Sequence, residues 1–328
     1  MEVEDGAELC FPQLNTSCRK PTFPESDVLF LHIVLYFVSV LTVALNLLII
    51  ISISYFRQLH TNTNTLLLSL AVSDFLVGLV LMPGEILRQT GCWFLGDLMC
   101  FCYNYVSFIV TSTSIGHMVL ISVDRYVAIC DPLHYPTRVT ERKVKFCVCL
   151  CWLSSVFYCS VIVQDDLTEP GRYNSCYGQC VFVISYIAGI VDVVVTFIAP
   201  VTVIIVLYMR VFVVAVSQAR AMRSHITAVT QHRSMTVTKM KSELKAARTL
   251  GVLVALFLTC FCPYYCACLA KENLGNASFA SFVLYLFYCN SCMNPLVYAL
   301  FYPWFRKTFK LIVTLQIRQS GSCEAKIM

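Results

Sequence analysis

Asn290–Phe305 reads NSCMNPLVYALFYPWF. An Asn-Pro pair inside an apolar helix removes a backbone donor and breaks the hydrogen-bond ladder. The polar groups it frees need partners where no water reaches them. Tyr298 stands three residues after Pro295, and an aromatic-basic amphipathic stretch, Trp304–Lys310, follows directly. The stretch therefore reads as the end of a membrane span with internal polar business.

Working outward, the rest of the chain agrees. Hydrophobic residues make up 58% of the 328 and charged ones 13%, about half the charge of an average soluble domain. Apolar runs near 28–53, 65–84, 100–123, 146–163, 183–209, 250–270 and 279–302 each approach the roughly 20 residues that cross a bilayer. The fifth exceeds one bilayer thickness and is expected to continue beyond it.

Basic residues in the connections set the orientation. Arg138, Arg142, Lys143 and Lys145 separate spans three and four. Arg210, Arg220, Arg223, Arg233, Lys239, Lys241, Lys245 and Arg248 separate five and six, and Arg306, Lys307 and Lys310 follow seven. Glu2, Glu4, Asp5, Glu8, Glu25 and Asp27, with Asp165, Asp166 and Glu169, mark the other side. The expected topology has the N-terminus outside and the C-terminus inside. The net charge of +5 is then a topology signal and gives no reason to expect nucleic-acid binding. The first 25 residues are polar and acidic, so no cleavable signal peptide is expected and the first span would direct its own insertion. Asn15 and Asn276 head glycosylation sequons on the outer side.

Nineteen cysteines look like a disulfide scaffold until they are placed. Cys147, Cys149, Cys151, Cys260, Cys262 and Cys266 lie within spans, where a free thiol behaves as a small apolar side chain. Cys10, Cys18, Cys92, Cys100, Cys176 and Cys180 remain as outer-side candidates. Three intramembrane acids stand out, Asp74, Glu85 and Asp192. Each costs about 2.5–3.5 kcal/mol to insert and so invites a functional reading.

Asp124-Arg125-Tyr126 closes the third span, Asn46 lies in the first, and Leu70-Ala71-Val72-Ser73-Asp74 in the second. Trp152 lies in the fourth span, Pro200 in the fifth and Pro263 in the sixth. With NSxxNPxxYxxxYxWF at the seventh, these residues resemble a rhodopsin-like G-protein-coupled receptor, specifically a trace amine-associated receptor of the fish, olfactory type. The resemblance implies an all-α membrane protein, a seven-transmembrane helix bundle with a short cytoplasmic amphipathic helix. The division is 1–27 outside, 28–302 as the bundle, and 303–328 as amphipathic helix and tail. It also implies a receptor at the plasma membrane rather than an enzyme, with a small amine as ligand and a heterotrimeric G protein, of the stimulatory type, as partner. Membrane lipid is a further expected contact.

Specific roles follow from the same resemblance. Cys100 matches the half-cystine joined to the second outer loop, with Cys180 its expected partner. Cys176 would then tie down the N-terminal segment through Cys18, with Cys10 the alternative. Asp74, Asn46, Ser114, Asn290 and Asn294 match a sodium pocket, and hard oxygen donors suit such a cation. A hydrogen-bonded network without an ion stays open. Asp124, Arg125, Tyr126, Tyr208, Glu243 and Tyr298 match a switch in which Arg125 pairs with Asp124 or reaches Glu243 until the sixth helix swings out.

Where aminergic relatives carry the ammonium-binding Asp in the third span, this chain has Ser107, about 27 Å along the helix from Arg125. Asp192, about 12 Å outward of Pro200, supplies a carboxylate instead, with Val191, Val193, Val194 and Val195 around it. Some fish trace amine receptors look alike in this respect. The expected pocket is Asp192 with Ser107, Phe108, Thr111, Phe182, Thr196, Phe261, Tyr264, Tyr265 and Tyr288, whose rings would favour an ammonium. Phe261 stands where the family commonly has Trp. Glu85 either pairs with Arg88 or acts as a second anion suited to a diamine. A structural Asp192 in a receptor for a neutral ligand also stays open; a seven-helix transporter is disfavoured, because one polar core and no internal repeat are visible.

Overall fold

The computed structural model describes residues 8–20, 25–89, 92–164, 168–226, 234–269 and 277–314. Seven helices long and apolar enough to cross a membrane run through it. Helix α1 spans Glu25–Tyr55. Helix α2 spans Asn62–Leu76 and continues through a π-helical turn, Val77–Leu81, into Met82–Gln89. Helix α3 spans Gly96–Cys130 and α4 Glu141–Ile162. Helix α5 starts as Tyr186–Asp192, passes a second π turn, Val193–Ile198, and runs on as Ala199–Ile226. Helix α6 is Ser234–Leu269, α7 Ala277–Phe301 and the amphipathic α8 Pro303–Val313. Each expected span coincides with one of α1–α7 apart from a few terminal residues.

Local chemistry sets the ends. Thr61 caps α2 by accepting the Asn64 amide at 3.3 Å, and Ser185 caps α5 by accepting that of Ala188 at 3.4 Å. Pro303 occupies the first turn of α8, where its missing donor costs nothing. Burial in α8 is one-sided: Trp304, Phe305 and Thr308 face the bundle, while Arg306 and Lys307 are exposed.

The bundle is apolar on both sides. Phe257, Phe56 and Tyr298 are fully buried, whereas Phe37, Phe157, Ile187 and Val213 face outward. In lipid such outward residues gain nothing by being hidden, so helices associate through packing and interhelical hydrogen bonds worth on average about 0.6 kcal/mol. Trp152 donates to Ser69 Oγ at 3.0 Å, which also meets His117 Nε2 at 2.7 Å. That cluster joins α2, α3 and α4.

Residues 8–20 form a cap at the end of the bundle opposite α8. The Cys18 amide donates to the Tyr177 carbonyl at 2.9 Å and the Tyr177 amide to that of Thr16 at 2.8 Å. Disulfides Cys18–Cys176 and Cys100–Cys180 hold this layer. A third, Cys10–Cys92, links two cysteines to which the sequence reading gave no partner or only an alternative one. Gly178 supports the layer with φ +96, and a side-chain carbon there would lie 2.8 Å from the Phe11 ring.

Candidate functional site

Asp192 is the last α-helical residue before the π turn of α5. Such turns shift the helical register and concentrate at functional sites. Here Val193, Thr196 and Phe197 point into the bundle, while Val194, Val195 and Ile198 face out. The Asp192 carboxylate, half-buried, accepts a hydrogen bond from the Tyr158 hydroxyl of α4 at 3.1 Å. Among the described residues no Lys, Arg or His lies within ion-pair distance of it. Thr196 turns its hydroxyl back onto the Asp192 carbonyl at 2.6 Å and lies 3.4 Å from the Tyr265 hydroxyl.

A cavity of about 270 Å³ opens beside this carboxylate. Ser107, Phe108, Thr111, Phe182, Thr196, Tyr264, Tyr265 and Tyr288 line it with Asp192. Phe261 does not. It lies one helical turn toward the α8 end, buried between Phe257 (4.5 Å between ring centres) and Phe287 (4.4 Å). Phe108 and Phe182 close another wall, their rings 5.3 Å apart. Cys100–Cys180 ties down the loop segment that carries Phe182.

The second cavity-lining acid, Glu85, is engaged. Arg88 forks onto it through Nε at 3.0 Å and Nη2 at 2.7 Å, and the Tyr103 hydroxyl donates at 3.1 Å. Of the two roles the sequence left open for Glu85, the geometry contains the ion pair. Asp192 is therefore the one carboxylate on the cavity wall with no countercharge among the described residues.

Below the cavity, toward the α8 end, Asp74 is 1% exposed and engaged by different means. Ser291 donates to Oδ1 at 2.7 Å and Asn294 to Oδ2 at 2.9 Å. Asn290 accepts from Asn294 at 3.4 Å, and Asn46 donates to the Ser291 carbonyl at 3.0 Å. Ser114 bonds to Ser73 at 2.9 Å, next to Asp74. Asn46 Oδ1 and Asn294 Oδ1 are buried with no hydrogen-bond partner. A carboxylate with two idle amide oxygens nearby is a donor set that fits a hard monovalent cation.

At the α8 end of α3, Arg125 pairs with Asp124 through Nε at 3.0 Å. Thr63 donates to Asp124 at 2.9 Å and accepts from Arg125, and Tyr135 donates to Asp124 at 2.8 Å. Tyr126 packs against Ile129, Val211 and Ala215. Tyr298 is buried with its hydroxyl unpaired. Tyr208 rests on α6 at Gly251, where an added side-chain carbon would meet its hydroxyl at 2.2 Å. The Glu243 side chain, Asn276, Asp165 and Asp166 lie outside the described residues; Asn15 is exposed on the cap.

Tyr158, Tyr103, Phe287 and Ser291 are the residues the sequence reading missed. Tyr158 lies six residues outward of Trp152 in α4, about 9 Å, and comparing depths across spans would have set it against Asp192. Ser291 is the second residue of the quoted stretch, next to Asn290.

The chain matches the 7 transmembrane receptor (rhodopsin family) over residues 45–298. It is 37% identical to trace amine-associated receptor 13c of Danio rerio over 98% of its own length and 97% of the relative's. With trace amine-associated receptor 4 of Mus musculus the identity is 33%, covering 98% and 95%. With trace amine-associated receptor 7e of Mus musculus it is 37%, covering 97% and 91%.

Proposed function

The chain belongs to the rhodopsin family of seven-transmembrane receptors and, within it, to the trace amine-associated receptors; from that premise we propose that its ligand is a small monoamine whose ammonium seats against Asp192. One observation carries this reading. Asp192 is a cavity-facing carboxylate with no countercharge among the described residues, while the other lining acid, Glu85, is already paired with Arg88. An unpaired anion in a low-dielectric wall gains by pairing with a cation. Tyr158 holds the carboxylate from one side. The rings of Phe108, Tyr264 and Tyr265 supply faces for the ammonium. A volume of about 270 Å³ suits a ligand below drug size.

The same reading assigns the outside to the disulfide-bearing face, with Asn15 available there for glycosylation, and the cytosol to the face of α8. Arg125, held by Asp124 and Thr63, is the lock that agonist binding releases. Opening of α6 would then admit a heterotrimeric G protein of the stimulatory type and raise cyclic AMP. Asp74, Asn46, Ser114, Asn290 and Asn294 would hold a sodium ion that favours the closed arrangement. Expression in an olfactory membrane is the setting that the fish-type resemblance suggests, with anionic lipid against Arg306, Lys307 and Lys310. The family is one of receptors, not enzymes.

The test is cyclic AMP accumulation in cells expressing the chain, against primary monoamines and matched bis-amines. Monoamines are expected to raise it. Silence of every amine, with the receptor at the cell surface, would overturn the assignment.

A further inference from the structure

A second hollow, of about 230 Å³, lies between α3, α4 and α5 on the membrane side of the first. Ile115, Gly116, Cys151, Ser154, Ser155, Val195 and Pro200 line it, and three residues, Ser112, Tyr158 and Thr196, line both hollows. Tyr158 is thus a shared wall. Its hydroxyl is turned onto Asp192, and its ring borders the crevice. Cys151 lies seven residues from Tyr158 along α4, so the crevice runs about 10 Å down the bundle.

Its rim opens to lipid. Ser154 is exposed, and Val195 is 47% exposed. Gly116 leaves the floor low, since a side-chain carbon there would collide with Cys151 Sγ at 2.5 Å. The Ser154 hydroxyl is spent on the Cys151 carbonyl at 3.0 Å, which leaves little polar demand on an apolar occupant.

We propose that this crevice is the tail subsite of the amine site, taking the alkyl chain of a primary amine whose ammonium sits on Asp192 and whose chain passes Tyr158 and Thr196. The proposal rests on Asp192 being the anchor. That the two hollows adjoin, with three lining residues in common, favours the ligand's own chain over an independent lipid tail. The receptor should then select linear alkylamines by length. Affinity should climb roughly fourfold per added methylene while the crevice fills, the ratio expected for one buried methylene, and level off once it is full.

The experiment uses the full chain in lipid nanodiscs and measures displacement of a labelled monoamine by n-ethylamine, n-butylamine, n-hexylamine and n-octylamine. Two rim variants, Ser154→Phe and Val195→Phe, narrow the crevice from the lipid-facing side, where a larger apolar side chain is tolerated. Ethylamine should bind both variants as it binds the parent, which also reports that they fold. Hexylamine should lose tenfold or more. A length ladder that survives both variants, or is flat in the parent, overturns the subsite. So does a phospholipid retained in the crevice of the amine-bound parent. Asp192→Asn is measured beside them with ethylamine: if that affinity holds, the anchor reading itself has failed, a separate outcome from loss of the ladder alone.

Discussion

Asp74 and Asp192 are the same side chain at two depths of one bundle, and the protein treats them in opposite ways. Asp74 is closed off, with Ser291 and Asn294 donating to its two oxygens and Asn290 and Asn46 extending the network. Asp192 stands at the edge of a cavity, with the Tyr158 and Thr196 hydroxyls beside it and no countercharge among the described residues. A buried acid surrounded by donors belongs to the architecture, because removing it strands each donor. A buried acid left to face a cavity holds interaction energy in reserve for whatever enters. The contrast sets an acid held inside a closed network against one open to a cavity, without appeal to motif.

Substituting each Asp by Leu sharpens that separation. In Asp74→Leu, two buried donors lose their acceptor at about 1–3 kcal/mol each, so the melting temperature of purified receptor should fall steeply. In Asp192→Leu, the Tyr158 hydroxyl loses its partner while Thr196 keeps the backbone carbonyl of residue 192, and the adjoining cavity can offer water, so the thermal cost should stay below about 1 kcal/mol. Equal losses would erase the distinction. Asp74→Asn, which keeps the shape, should abolish any stabilisation of the receptor by sodium over choline.

Glu85 provides a smaller test from the same cavity. In Glu85→Gln the Arg88 charge is left uncompensated on the wall, and affinity for monoamines and bis-amines should drop together, by roughly fivefold or about 1 kcal/mol. A selective loss of bis-amines would mean that Glu85 is a second anchor and that the Arg88 pair yields to ligand.

Much of this was legible in the chain. The seven spans follow from run length, and the residues around Asp74 sit in local strings that carry their own spacing. Asp192 itself was legible as a charge among valines. Its surroundings were less so, for physical reasons. The Tyr158 contact joins residues 34 apart in sequence on helices whose relative rotation only packing decides. The π turn at Val193–Ile198 re-registers α5 in a way no propensity signals. Phe261, expected at the pocket, sits one ring layer below it, because Phe287 of α7 fills the space between. The Cys10–Cys92 bridge was equally hidden, since spacing does not fix which outer cysteines meet.

The central claim is that Asp192 alone supplies the charge for the ligand ammonium. The direct measurement is equilibrium binding of a labelled primary monoamine to membranes bearing the parent or Asp192→Asn, with surface expression matched. Removing one partner of a desolvated charge pair costs about 2–5 kcal/mol, so the dissociation constant should rise at least thirtyfold. A change of less than twofold would contradict the claim and move the anchor elsewhere in the cavity.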